Sequence, residues 1–280
     1  MRILLVLMLI LTVSAPLYAA APKDLVKAEL LADVASVQPG QPFTAGIRLT
    51  MKPHWHVYWK NPGDAGQATS VEWKLPQGFT AGELKFPIPV TFEQPGPVIG
   101  YGYENEVLLT ATITPPADLV AGKTIDLEAA VTWLVCDPMT CIPGNASLKL
   151  QLPTGPETKP ANAELFAKGR QQFPVPLDAS PVNQTGPIKQ TGIEGTAGGA
   201  TAFVKWAKMP ADVQWFPLPP QKSGVENLQT RSEGDVSRMT FSLSPAPKGP
   251  AQMQFLVAFT DENGKRQGVE FGVKLPPAAK

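Results

Sequence analysis

Proline and glycine interrupt this chain so often that long helices have little room to form: 31 prolines and 24 glycines fall among 280 residues. A proline inside a helix removes a hydrogen bond and clashes with the preceding turn, at a cost of about 3 kcal/mol. Between the breaks lie short runs in which apolar and polar residues alternate, the period of a strand with one buried face. Phe43-Thr44-Ala45-Gly46-Ile47-Arg48-Leu49-Thr50 and Val71-Glu72-Trp73-Lys74-Leu75 are of this kind. Glu106 to Thr114, Thr124 to Val135, Ser147 to Leu152 and Ser237 to Leu243 read the same way. Asp261-Glu262-Asn263-Gly264 is a hairpin turn with Asn-Gly at its centre. The pattern predicts an all-β protein with a β-sandwich in each half. Ala161 to Gln172 is the one helix candidate, stopped by Pro174. The Gly- and Thr-rich stretch Thr185 to Ala200 is expected to be a loose connection.

The N-terminus sets the compartment. Met1-Arg2, an apolar run from Ile3 to Val13 broken only by Thr12, and small residues through Ala21 have the layout of a secretory signal peptide. The apolar run is too short to span a bilayer, which takes about 20 residues. Residues 1–21 are therefore expected to be removed, with cleavage near Ala19, and the mature chain to be soluble in the bacterial periplasm, where disulfides persist. A first β-domain is expected over 22–153, a proline-rich linker with a short helix over 154–184, and a second β-sandwich over 185–280. Basic and acidic residues balance at 24 each, so no field exists to draw in nucleic acid. No cofactor is expected, and a monomer is.

Cys136 and Cys141 are the only cysteines. They stand in Trp133-Leu134-Val135-Cys136-Asp137-Pro138-Met139-Thr140-Cys141-Ile142-Pro143. A disulfide closing a loop of about six residues is worth about 2 kcal/mol in the chain-entropy picture, against about 4.7 for about 100 residues. So short a staple stabilises little, which favours a chemical role. Thr124 to Cys136 and Ile142 to Leu152 read as the two arms of a hairpin around Asp137-Pro138-Met139-Thr140. Opposed residues in such a ladder bring their Cα atoms to about 4.5 Å, within reach of a disulfide. Pro138 stiffens the loop and keeps the sulfurs close when reduced. Exchange runs by thiolate attack on a disulfide sulfur through a mixed disulfide. Asp137 is the nearest charge and disfavours a thiolate, so a modest nucleophile activated by its partner is expected. The local sequence leans to Cys141 as the partner-facing sulfur.

Two other readings stay open. The pair can be an inert local staple. Alternatively, His54 and His56 lie two apart in His54-Trp55-His56-Val57-Tyr58-Trp59 and would share a face of a strand. Two imidazoles and two thiolates suit Cu(I) or Zn, which would make the chain a copper-tolerance module. The plainer alternative is an aromatic core with histidines capping its edge.

Three stretches carry a resemblance. They are His54 through Asn61-Pro62-Gly63-Asp64-Ala65-Gly66, then Phe86-Pro87-Ile88-Pro89 with Ile99-Gly100-Tyr101-Gly102-Tyr103-Glu104-Asn105-Glu106-Val107, and finally Trp133 through Pro143. Together the segment from Val26 to Leu152 resembles the N-terminal periplasmic domain of DsbD-type thiol:disulfide interchange proteins, including the ScsB-like branch. The resemblance implies an immunoglobulin-like sandwich with Cys136 and Cys141 as the redox pair. It also implies an aromatic cap over the cysteines, with Tyr101 and Tyr103 as candidates and Gly100 and Gly102 as the source of freedom to open. Implied partners are thioredoxin-fold periplasmic proteins, with electrons flowing in the reducing direction. Most relatives continue into a membrane electron-relay domain and a thioredoxin-like domain. Neither is found in these 280 residues, so a separate membrane relay protein is an expected partner. The cysteine-free stretch from Ala161 to Lys280 resembles the additional β-domain of the ScsB-like branch, a scaffold or docking unit.

Overall fold

A computed structural model describes residues 25–94, 96, 98–177 and 187–275. The expected signal peptide lies outside the described residues. In the first half the strands are β1 (Val26–Ala32), β2 (Val34–Ser36), β3 (Phe43–Met51), β4 (His56–Gly63), β5 (Ser70–Lys74) and β6 (Thr80–Ala81). They continue with β7 (Val90–Gln94), β8 (Val98–Glu104), β9 (Glu106–Thr114), β10 (Thr124–Cys136) and β11 (Cys141–Pro153). One sheet runs β1-β3-β9-β6, and the facing sheet runs β11-β10-β4-β8-β7 with β5 paired to β10. Their inner faces share one core, including Ile47, Leu49, Leu109, Leu127, Val131 and Trp133. This is the immunoglobulin-like sandwich, built from antiparallel strands.

The period of two is plain along β10. Ile125, Leu127, Ala129, Val131, Trp133 and Val135 are buried, and the residues between them are more open. Trp133 stands opposite Gly144 on β11, and a Cβ there would collide with the indole. That glycine is kept free so that an aromatic can lie across the neighbouring strand.

The segment after β11 is tied to the first sandwich. Strand β12 (Lys159–Pro160) pairs with β2. Helix α1 (Ala163–Arg170) buries Phe166, and Asn162 donates from Nδ2 to the Ala32 carbonyl at 2.9 Å. The helix is shorter than its apolar pattern suggests. Asn162 sits in the left-handed region at φ 50° just before it and makes no side-chain cap.

The second half contains β13 (Val175–Pro176), β14 (Ile188–Thr196), β15 (Gly199–Trp206), β16 (Ala211–Leu218) and β17 (Gly224–Glu233). It closes with β18 (Val236–Ser244), β19 (Ala251–Thr260) and β20 (Arg266–Leu275). The sheets run β13-β20-β19-β16 and β14-β15-β18-β17, around a second core that includes Trp206, Trp215, Phe241 and Phe255. Of the loose connection expected over Thr185 to Ala200, residues 185 and 186 lie outside the described residues, and the rest is instead mostly β14 with the start of β15. Its glycines have structural uses: Gly192 opposes Phe203 and clears space for that ring, and Gly195 takes φ 91° beside the hairpin turn.

The halves are fused. Phe216 on β16 and Leu256 and Ala258 on β19 belong to the core of the first sandwich. Phe216 meets Trp59 and Tyr101 edge-on, with centroids 5.9 and 5.2 Å away. Lys60 pairs with Glu270 at 2.8 Å, and Asn61 donates from Nδ2 to the Pro217 carbonyl at 2.6 Å. Arg266 reaches the Pro89 carbonyl at 2.8 Å. Phe216→Ala should therefore cost about 3–5 kcal/mol, read by denaturant unfolding. The loss should register in the first half, because the ring is carried by a strand of the second half but fills the core of the first.

Candidate functional site

The alternation of β10 ends in two consecutive buried residues, Val135 and Cys136. Strand β4 opens with four, His56, Val57, Tyr58 and Trp59. A strand buried at every position has cover on both faces. Val57 and Trp59 enter the core. His56 and Tyr58 point to the other side with Cys136, whose register partner is His56. The site is this local second layer on the outside of the sandwich.

Cys136 and Cys141 form the last pair of the β10–β11 ladder. Their Cα atoms are 4.1 Å apart and the sulfurs are bonded. The four-residue loop between them is held from within. Asp137 Oδ1 accepts from the backbone N–H of Met139 at 2.8 Å and of Thr140 at 2.7 Å, and Asp137 N–H bonds to the Thr140 carbonyl at 3.0 Å. The two sulfurs live in different surroundings. Cys136 is fully buried, while Cys141 is exposed beside Met139, which is 88% exposed.

Around Cys136 the polar groups form a short series. The Tyr58 hydroxyl donates to Cys136 Sγ at 3.2 Å, and His56 Nε2 lies 3.4 Å from that hydroxyl. Phe92 stacks on the His56 ring, with centroids 4.2 Å apart. The loop following β4 wraps under Tyr58. Gly63 and Gly66 take φ 89° and 113°, and a Cβ on Gly66 would strike the phenol ring. Asp64 anchors the loop, accepting from Ile99 N–H at 2.9 Å. The Asn-Pro-Gly-Asp-Ala-Gly stretch thus builds the support for the tyrosine beside the disulfide.

Two expectations require correction. Tyr101 and Tyr103 do not cap the cysteines. Both lie on β8, where Tyr103 pairs with Val57 and so shares the inward face. The Tyr103 hydroxyl donates to the Pro87 carbonyl at 2.7 Å, and Tyr101 packs on Phe216. Burial pushes the Tyr101 phenol up to about 12 and Tyr103 well above its ordinary value. On the outer side, Phe92 of β7 covers the His56 ring. The joint His54/His56 metal set also does not form. His54 lies exposed in the turn before β4 at φ 70°, so the two imidazoles do not share a strand face. Among the described residues, no group of three or more histidine, cysteine or acidic side chains is placed to hold a metal ion. By sequence Tyr58 is one aromatic among several in His54 to Trp59. The signal that marks it is its spacing of two from His56, which puts both on one strand face.

Burial holds His56 below its ordinary pKa of 6.5, partly offset by the Asp137 carboxylate. The folded state binds this proton more weakly than the unfolded chain. Its contribution is complete above the ordinary value and is lost as pH falls through the lower folded value. Melting between about pH 7.5 and about pH 5 should lose more stability in the unmodified protein than in His56→Gln. Gly66→Ala should destabilise by roughly 1–3 kcal/mol through its backbone angle and the collision with Tyr58, measured by chemical denaturation.

The N-terminal family of the thiol:disulfide interchange protein DsbD matches residues 23–153. No curated protein matches the chain in sequence. The N-terminal periplasmic domain of ScsB from Proteus mirabilis shares its fold with a TM-score of 0.65 at 19% identity, over 91% of this chain and 96% of that one. The major pilin subunit BcpA of Bacillus cereus reaches a TM-score of 0.28 at 9% identity, over 90% of this chain and 66% of that one. The E. coli chaperone DraB reaches 0.25 at 10% identity, over 88% and 98%. The family's match spans the whole first sandwich and ends with the hairpin that joins the two sulfurs, so residues 23–153 are a DsbD-type N-terminal domain, and the general chemistry this supports is thiol–disulfide interchange.

Proposed function

We propose that this is a periplasmic exchange protein that passes reducing equivalents to or from thioredoxin-fold partners through Cys136 and Cys141. The observation that carries the reading is the unequal burial of the two cysteines. A structural staple needs no exposed sulfur. An exchange site needs one that a partner can reach.

A partner thiolate attacks Cys141 Sγ, the Cys136–Cys141 bond breaks, and Cys136 departs as a thiolate. The partner's second thiolate then attacks the mixed disulfide, leaving its own disulfide and a reduced Cys141. Two electrons have entered this chain, and two protons from solvent complete the dithiol. Run backwards, the same steps reduce a partner's disulfide. The reducing direction and a separate membrane relay as electron source follow the resemblance to the DsbD type. The signal-peptide layout and the fold shared with a periplasmic domain support the location.

Because Cys141 meets the partner and Cys136 resolves the intermediate, removing Cys136 should trap the complex. Cys136→Ser, incubated with an oxidised thioredoxin-fold periplasmic protein, should accumulate a mixed disulfide visible on non-reducing gels. Cys141→Ser should accumulate little. Equal trapping by both variants, or by neither, would count against this assignment of roles.

A further inference from the structure

The exchange steps use two sulfurs and leave unexplained why a tyrosine hydroxyl and a histidine are buried against one of them. We propose that His56 and Tyr58 form a donor chain, from His56 Nε2–H to the Tyr58 oxygen and from the Tyr58 O–H to Cys136 Sγ, that stabilises the Cys136 thiolate as the disulfide opens. Tyr58 touches a reacting atom and is a catalytic residue, while His56 acts through it as a positioning residue. The inference rests on the exchange reading above.

Tyr58 has one hydroxyl proton, and the geometry gives it to Cys136 Sγ at 3.2 Å. The tyrosine oxygen then faces His56 Nε2 at 3.4 Å as an acceptor, which selects the imidazole tautomer bearing hydrogen on Nε2. Both bonds point toward the sulfur. Cys136 is fully buried, and burial alone opposes a thiolate there. A hydrogen bond to the charged form acts in the opposite sense and is stronger than one to a neutral sulfur. The chain therefore favours the leaving thiolate over the closed disulfide, the differential that speeds a step. No proton has to cross during opening. Tyr58 keeps its proton while electron density collects on Cys136 Sγ.

The groups around His56 are consistent with a neutral donor. Tyr58 lies on its own strand, Cys136 and Asp137 at the end of β10, and Glu104 opposite on β8. Phe92 stacks on the ring. Asp137 spends one carboxylate oxygen on two loop N–H groups. Packing needs only the aromatic ring of Tyr58, since that ring is what Gly66 supports. Its hydroxyl is what the chemistry uses.

The test uses the full chain and two readouts. The first is the rate at which dithiothreitol opens the disulfide. The second is the pKa of Cys136, followed by thiolate absorbance in a Cys141→Ser background. Tyr58→Phe keeps the ring and should slow opening on the order of tenfold and raise the Cys136 pKa by about one unit. His56→Leu should produce part of both effects, and His56→Gln, which retains an N–H donor, should restore most of them. Should Tyr58→Phe fold poorly, the His56→Leu and His56→Gln pair carries the test alone. Unchanged rate and pKa in folded variants overturn the proposal, as does slower opening with an unchanged pKa, which is the mark of a packing defect. An unmodified protein that opens readily while the variants match it leaves the exchange reading standing without this chain. A disulfide that dithiothreitol cannot open at all overturns both.

Discussion

Burial of β4 on both faces is the constraint on which the rest depends. Its inward residues, Val57 and Trp59, belong to the first core, and Trp59 continues onto Phe216 of the second half. Its outward residues, His56 and Tyr58, lie against Cys136. One short strand therefore joins the packing that fuses the halves to the surroundings of the disulfide. A sheet face turned to solvent would carry polar residues at these outward positions. Here they carry a histidine and a tyrosine whose polar atoms meet each other and a sulfur, so the burial leaves those atoms partnered.

The same arrangement divides the labour between the cysteines. Cys136 is the one buried position on the outer face of its strand, and Cys141 begins an outermost strand of the sheet. Covalently equivalent sulfurs thus acquire different access from their place in the ladder. Asp137 supports the distinction by folding its carboxylate onto the loop backbone, which fixes the tip without covering Cys141.

Much of this was legible in the residues. The alternation in β3, β9 and β10 identified strands because each has one polar face, and the hairpin around Asp137 to Thr140 followed from two such runs meeting at a proline. The aromatic run His54 to Trp59 was harder. A strand buried on both sides has no period to read, so the separate duties of Tyr58 and Trp59 could not be assigned. Tyr101 and Tyr103 misled for a related reason. Their glycine neighbours suggest a mobile loop, whereas Gly102 is there because the backbone of Val57 approaches too closely for any side chain. In Thr185 to Ala200, glycine again looked like looseness and proved to be clearance for Phe203 across the strand. Strand β17 is mostly exposed and offered little apolar pattern. The fusion of the halves has no local signal, because Trp215 and Phe216 are adjacent aromatics of one strand and only the fold sends the first to the second core and the other to the first core.

The position of the disulfide at the very end of its ladder has a practical consequence. Breaking it removes the cross-link from a single rung, Cys136 with Cys141, and leaves the register from Thr124 with Pro153 through Val135 with Ile142 to the backbone. Oxidation state and foldedness are thereby almost decoupled. Circular dichroism should scarcely distinguish the two forms, a melt should record only the cross-link's contribution of about 2 kcal/mol, and measurements that sense the thiols themselves tell how many electrons the molecule is carrying.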